Sequence, residues 1–241
     1  MPTQPRSGLT LANPQNDKTI NKDQIVRCAL SIIDERGLAA LNMRSLAATL
    51  GVYPTAVYWH VRNKSTLLSE VALLAMQNST PPLQDTDWKC WIRQLFENYR
   101  VAVRMHPNVA TLIGAHLVTN ETPNLDLVES TLMMLKRAGF PDPNLVQAYN
   151  TVIAAMVGFV TIEYAQITPE PESRAEAVMR CLDATDASKH PLILEHREAL
   201  ENKSFILRWE NGVRAPLDRS FAFYVETVVN GLDRLRVRGP S

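Results

Sequence analysis

The chain has 241 residues, 46% hydrophobic and 21% charged, which fits a folded globular protein of one or two domains and excludes wholesale disorder. Nine glycines and 7% aromatic residues weigh against a glycine-rich β architecture or a Rossmann-type nucleotide fold. Twenty-five Lys and Arg balance 25 Asp and Glu, so no whole-molecule field draws the protein to nucleic acid or membrane, and any such attraction is local.

Residues 1–19 hold Pro2, Pro5, Gly8 and Pro14 among polar neighbours and are expected to form a disordered arm. From there the pattern is helical. Ile25, Ala29, Ile32 and Ile33 recur at helical spacing, and Gly37 stands where a left-handed C-terminal cap is expected. Met43, Leu46, Ala47 and Leu50 mark a short second helix, capped by Asn42 and ended by Gly51. Pro54 opens a third, with Val57 and Val61 on its inner face, and a fourth runs from Lys64 to before Pro81-Pro82. Residues 1–64 carry eight basic and four acidic side chains, and none between Arg36 and Lys64 is acidic. A basic head thus precedes an acidic body, and a polyanion finds its best footing on the head.

Longer helices are expected in the body over 87–105, 108–118, 125–138, 145–166, 191–202 and 217–237, punctuated by prolines and Gly139. The polar stretch 168–189 reads as a flexible loop with one short helix around 174–183. The expected fold class is all-α, divided into the arm 1–19, a helix-turn-helix domain 20–64 and a second helical domain 65–241 that begins with a connecting helix, 65–80.

Cys28, Cys90 and Cys181 are odd in number and form no CxxC, which predicts buried free thiols in a reducing compartment rather than a disulfide scaffold or zinc site. The N-terminus lacks the apolar core of a signal peptide, and the apolar run 152–160 is short of a membrane span, so the expectation is a soluble, cytoplasmic protein with no membrane partner. The chain contains no GxxxxGK[ST], GxSxG or HExxH pattern, so no catalytic activity, metal or cofactor is expected.

The helix from Asn42, the turn Gly51-Val52-Tyr53 and the helix from Pro54 have helix-turn-helix dimensions. With Val57 and Val61 inward, Thr55, Ala56, Tyr58 and His60 project elsewhere, a poor core element but a suitable probe for a major groove. Residues 20–76 resemble the DNA-binding domain of the tetracycline-repressor (TetR) family through Gly37, Leu41, Arg44, Leu46-Ala47, Leu50-Gly51-Val52, the block from Tyr58 to Lys64 and Leu67-Leu68. Trp88, Ala138-Gly139-Phe140, the run from Phe221 to Glu226 and Asn230-Gly231-Leu232 are similar to that family's regulatory domain.

The resemblance implies a ligand-responsive repressor that binds a near-palindromic double-stranded operator as a homodimer. It places Met43, Arg44, Tyr53, Pro54, Thr55, Ala56, Tyr58, Trp59, His60 and Lys64 at the DNA, with Arg44 as the main base reader, Lys64 on a phosphate, and Trp59 packed partly beneath the motif. Tyr53 replaces a Ser-type cap and Pro54 an amide side chain of tetracycline repressors, so the operator should differ from theirs.

In the body, Tyr99, Val103, His116, Met133, Tyr149, Ile153, Met156, Phe159 and Glu163 are candidate lining of a pocket for a small apolar or amphipathic effector. His116 and Thr119 have the spacing of the family's magnesium-tetracycline ligands, but the Arg-Pro pair that follows there is Asn120-Glu121 here. His106 is expected to cap a helix end, and Trp88 with Trp91 to pack beneath the inter-domain joint. Phe221, Val225, Val228, Val229, Leu232 and Leu235 form one stripe of the last helix, the expected dimer interface. The competing reading is a helical small-molecule carrier or an enzyme using His116 and Glu163, which leaves the basic head unexplained.

Overall fold

A computed structural model describes residues 20–84, 87–110, 112–113, 123–165 and 171–237. The arm 1–19, His116, Thr119 and the 120–121 pair lie outside the described residues. The helices are α1 (Lys22–Arg36), α2 (Met43–Leu50), α3 (Pro54–His60), α4 (Lys64–Ala75), α5 (Trp88–Met105), α6 (Leu125–Arg137), α7 (Asp142–Glu163), α8 (Pro171–Asp183), α9 (Pro191–Glu195), α10 (Arg197–Leu200) and α11 (Asp218–Val237). No strand occurs among the described residues, so the fold is all-α.

Local chemistry sets the first helices. Asn21 and Gln24 form a reciprocal capping box at the start of α1, and Asn42 and Ser45 form another at α2, satisfying amide groups that have no partner within the helix. Gly51 ends α2 in the left-handed conformation. Gly37 also has positive φ but an extended ψ of 165°, so it turns the chain into a 3-10 segment, Leu38–Ala40, rather than forming the left-handed cap expected. Ile25, Ala29 and Ile33 of α1, Leu46 and Ala47 of α2, Val57 of α3 and Leu67 and Val71 of α4 are buried together in one core.

Behind this core, α5 packs against α6, α7 and α11. Trp88 meets Phe140 edge-on, with ring centroids 6.1 Å apart. The two tryptophans therefore lie at the N-terminal end of α5, whereas the opposite end, at His106, touches α1. An inter-domain position for Trp88 and Trp91 is corrected accordingly. Helix α7 begins at Asp142, three residues earlier than expected, because Pro143 sits in the first turn, where its missing N–H costs nothing. At 22 residues with mean hydropathy 1.6 over 18 of them, it is long and apolar enough to cross a membrane. Its inward residues Val152, Met156 and Val160 nevertheless fill the protein core.

The short helix expected around 174–183 is present as the 13-residue α8, which starts three residues earlier at Pro171 and is tied by Arg174 to the carbonyl of Arg208 and by Asp183 to Arg197. The helix expected over 191–202 breaks into two short pieces at His196. All three cysteines are free, but Cys90 and Cys181 are exposed and only Cys28 is partly buried, since the apolar faces of their helices are completed by other residues.

Candidate DNA-binding head and ligand cavity

Helix α3 presents an outward surface that folding alone does not explain. Val57 is buried, while Pro54, Thr55, Tyr58 and His60 are exposed, Ala56 is half-buried, and Tyr53 and Trp59 are 84% and 88% exposed. Trp59 thus stands free in solvent, which corrects the expectation that it packs beneath the motif. Its place under the helix is taken by Val57 and Val61. Tyr53 makes no side-chain cap, as its replacement of a short hydroxyl residue implied. Arg44 is exposed at the second position of α2, whereas Met43 is half-buried against the core. Lys64 is exposed at the first position of α4, beside the Asn63 cap that accepts from the Thr66 N–H. No carboxylate occurs in the sequence between Arg36 and Lys64 to oppose these side chains.

Among the described residues the head is tied to the body at two places. Helix α4 leads directly from one to the other, about 18 Å long at 1.5 Å per residue. The C-terminal end of α1 is held from the other side, where Asn108 donates to the carbonyls of Ile33 and Asp34 at 2.9 and 3.1 Å, and His106 Nδ1 lies 2.8 Å from Asp34 Oδ2. His106 does cap α5, as expected, but it also makes this cross-domain contact.

The body contains a cavity of about 200 Å³ whose wall includes Ala72, Leu73 and Met76 of α4, Tyr99 of α5, Leu127 and Val128 of α6 and Tyr149, Ile153 and Met156 of α7. Four of the nine expected lining residues, Tyr99, Tyr149, Ile153 and Met156, are brought together here. Val103 is buried one turn beyond Tyr99 and is not in the wall, and Met133 is half-buried beside Met134, the α6 methionine that enters the core.

Phe159 and Glu163 share a sequence stripe with Tyr149, yet Phe159 sits about 15 Å further along α7, where other elements cover it. Phe159 contacts Phe205, Phe221 and Tyr224 at centroid distances of 5.1 to 5.4 Å. Glu163 is fully buried and accepts from Arg100 Nε at 2.9 Å, Arg100 Nη2 at 2.7 Å and the Leu217 N–H at 2.8 Å. Burial lowers the Arg100 pKa, but the hydrogen bonds and negative charge of Glu163 outweigh it and hold the guanidinium above its ordinary range. Glu163 is an internal ion-pair partner, not a polar anchor of the cavity.

Sequence reasoning missed the contribution of α4. Its signal was present, since Leu67, Leu68, Val71, Ala72, Leu73 and Met76 surround the helix on all sides, the mark of an element packed between two bodies.

The dimer stripe on α11 also divides. Phe221, Val225, Val229 and Leu232 are buried within this chain against α5 and α7, so they are core and not a surface awaiting a partner. Val228 is half-buried and Leu235 exposed. The outward face bears Phe223, 78% exposed, with Thr227 and Leu235, and an apolar groove runs between it and Gly158 and Ile162 of α7.

The pattern described as "Bacterial regulatory proteins, tetR family" matches residues 25–71, and that of the "Tetracyclin repressor-like, C-terminal domain" matches residues 80–235. The chain belongs to the TetR family. As a TetR protein it is a DNA-binding transcriptional regulator. It is 32% identical over 156 residues to the tetracycline repressor protein class A from transposon 1721 of Escherichia coli, spanning 61% of this chain and 68% of that relative. Identity to the class C tetracycline repressor of Escherichia coli is 25% over 228 residues, 90% of this chain and 93% of the relative. The crystal structure of the Streptomyces coelicolor TetR family protein ActR in complex with (S)-DNPA matches at a TM-score of 0.69 and 20% identity over 90% of this chain and 98% of that one, a likeness of fold.

Proposed function

We propose that this TetR-family chain is a cytoplasmic repressor that binds a near-palindromic operator as a homodimer and leaves it when a small molecule enters the body. Residues 20–64 form the DNA-reading head and 65–241 the regulatory body. In the head, Arg44 reads a base edge, Thr55, Ala56, Tyr58 and His60 face the groove, and Tyr53, Pro54, Trp59 and Lys64 meet the backbone and its margins. One observation carries the reading. Helix α4 starts at exposed Lys64 beside the outward face of α3, and its last turn, Ala72 to Met76, forms a wall of the cavity.

A ligand in that cavity touches the same helix that sets the head. It acts by preferring the arrangement whose two heads no longer match successive major grooves, about 34 to 36 Å apart. The fold class of ActR, solved with (S)-DNPA bound, supports a body able to enclose a small molecule. For the second copy, the groove between the outer faces of α7 and α11 supplies the surface. The competing enzyme reading loses one of its two residues, because Glu163 is fully engaged by Arg100 and Leu217.

Gel shifts with the full chain and the DNA upstream of its own gene, with and without a metabolite extract, test the proposal. Retardation that weakens steeply with salt, persists against random competitor DNA and is relieved by the extract is expected. Binding indifferent to base order overturns it.

A further inference from the structure

A head joined to its body by one helix alone would hold its aim poorly. Helix α4 is about 18 Å long, and a rod permits both a swing about its far end and a twist about its own axis. One extra base pair between two half-sites sets them about 3.4 Å further apart and turns them by about 35°, which is about 2 Å and about 17° for each of two heads. On an arm of about 18 Å the first is a swing of about 6°. The α4 link by itself leaves little to separate neighbouring spacings.

The structure supplies a second attachment away from the α4 axis. Helix α1 is fixed to α4 near its start, where Lys22 pairs with Glu70, and its other end meets the 3-10 turn Pro107–Val109 that follows α5. There the Asn108 side-chain amide donates to the carbonyls of Ile33 and Asp34 at 2.9 and 3.1 Å, and His106 Nδ1 lies 2.8 Å from Asp34 Oδ2. Val109 of the same turn is fully buried. The backbone of α1 is shaped for this contact. The last carbonyls of a helix have no partner within it, and a left-handed cap normally fills them from the chain itself. Gly37 instead leaves with ψ 165°, and its own N–H returns to the Ile33 carbonyl at 2.8 Å. The Asp34 carbonyl is left for a donor from another element, and Asn108 supplies it.

We propose that this joint decides which half-site spacing the protein accepts. His106 and Asn108, which lie outside the DNA-reading head, are positioning residues that fix the angle between head and body, so that one centre-to-centre distance is bound and those one base pair longer or shorter are rejected. The inference rests on the reading of the chain as a dimer on a near-palindromic operator and adds which residues set its spacing. Helix α1 packs against α4, which puts the two axes about 8 to 10 Å apart. At that radius a twist of about 17° would carry Asp34 about 3 Å from His106 and break these hydrogen bonds.

Selection by the full chain from a duplex library randomised over about 40 base pairs, enough for two half-sites up to about two helical turns apart, tests the assignment. Sequencing the bound DNA gives the half-site and the distribution of spacings together. The parent should enrich one spacing. In His106→Ala/Asn108→Ala the half-site sequence should stay the same, while enrichment one base pair to either side, relative to the best spacing, should rise about fivefold, the weight of one hydrogen bond. His106→Ala alone should share the broadening, whereas His106→Asn, which places an amide donor where Nδ1 stands, should keep the parental ratio. A joint that only stabilised the fold would lower binding at every spacing in proportion and leave that ratio unmoved. Should the double variant not fold, Asn108→Ala alone reads the same ratio. The proposal is overturned if folded variants lacking these donors keep the parental ratio, or if His106→Asn broadens the spacing as His106→Ala does. A parent that enriches no paired half-sites fails one step earlier and sinks the operator reading along with the joint.

Discussion

The Asp34 carboxylate of α1 lies 2.8 Å from the His106 imidazole at the end of α5, a contact that joins the DNA-reading head to the regulatory body outside the covalent path through α4. With Asn108 on the adjoining carbonyls, it makes the end of α1 a second joint. Movement of α4 against α5 must either carry α1 along or break this contact. Asp34 Oδ1 is buried with no partner among the described residues, so Oδ2 has the only side-chain contact that offsets burial of the carboxylate there. Replacing His106 by Ala should therefore cost about 1 kcal/mol of unfolding free energy, because a part-buried acceptor loses its partner. Adding Asp34→Ala removes the stranded group and should restore part of the loss. Urea unfolding of the two variants decides it, and a double variant no more stable than His106→Ala alone refutes the account.

Arg44 and Lys64 are both exposed on the head, yet they should fail differently. Arginine can meet guanine O6 and N7 together, so Arg44→Ala should cost about 1 to 3 kcal/mol of discrimination between operator and random DNA. Lys64 at the start of α4 pairs an ammonium with open N–H groups and suits a phosphate. Lys64→Ala should weaken all DNA alike and reduce the slope of log K against log salt by about 1. Fluorescence anisotropy over a salt series reads both quantities. An Arg44→Ala protein with intact discrimination removes the arginine from the reading surface.

Much of the head was legible in the sequence because its signals are local. Asn42, Gly51, Pro54 and the Val57–Val61 pair each act within a few residues, so caps, turn and inner face could be read directly, and α2 and α3 fall where expected. Side chains answering to distant partners were not. Trp59 looks like core by its chemistry, but the neighbouring valines had already filled the space beneath α3. The stripe from Tyr149 to Glu163 follows one helical period, yet the period does not say which element covers each level. The result is a cavity at one level, an aromatic cluster at the next and an ion pair at the last. The same blindness hid the α11 stripe, since a face that serves a partner and one that serves the chain's own core have identical spacing.

The Arg100–Glu163 pair is a hazard to stability as much as a source of it. Both side chains are almost wholly shielded from water, and Gly212 is packed so closely that a Cβ there would come within 2.7 Å of Glu163 Cγ. Removing Arg100 leaves the Glu163 charge stranded, so Arg100→Met should cost about 3 to 5 kcal/mol, and Glu163→Gln should cost less, because Arg100 keeps Asp218 Oδ1 at 2.8 Å. Replacing both by Met removes both desolvation penalties and should be less damaging than Arg100→Met alone. Thermal unfolding of the three variants shows the order, and a double variant worse than both singles would mean that the pair attracts by more than it costs to bury.

Phe221 and Phe223 lie two positions apart on α11 and test the reassigned dimer surface. Phe221 is buried against Phe159 and the guanidinium of Arg100, whose carbon lies 4.5 Å from the ring centroid, whereas Phe223 faces the groove shared with α7. Phe221→Ala should lower the stability of the folded chain by about 3 to 5 kcal/mol through the cavity it leaves. Phe223→Glu should leave helicity unchanged and replace an apolar contact by a charge in the proposed subunit interface, shifting the protein from two copies to one. Loss of the second copy should carry away operator binding, because a single short recognition helix covers too few bases to discriminate. Sedimentation velocity and anisotropy on the same preparations separate these effects. If Phe223→Glu sediments as a pair and binds the operator normally, the groove between α7 and α11 is not where the subunits meet.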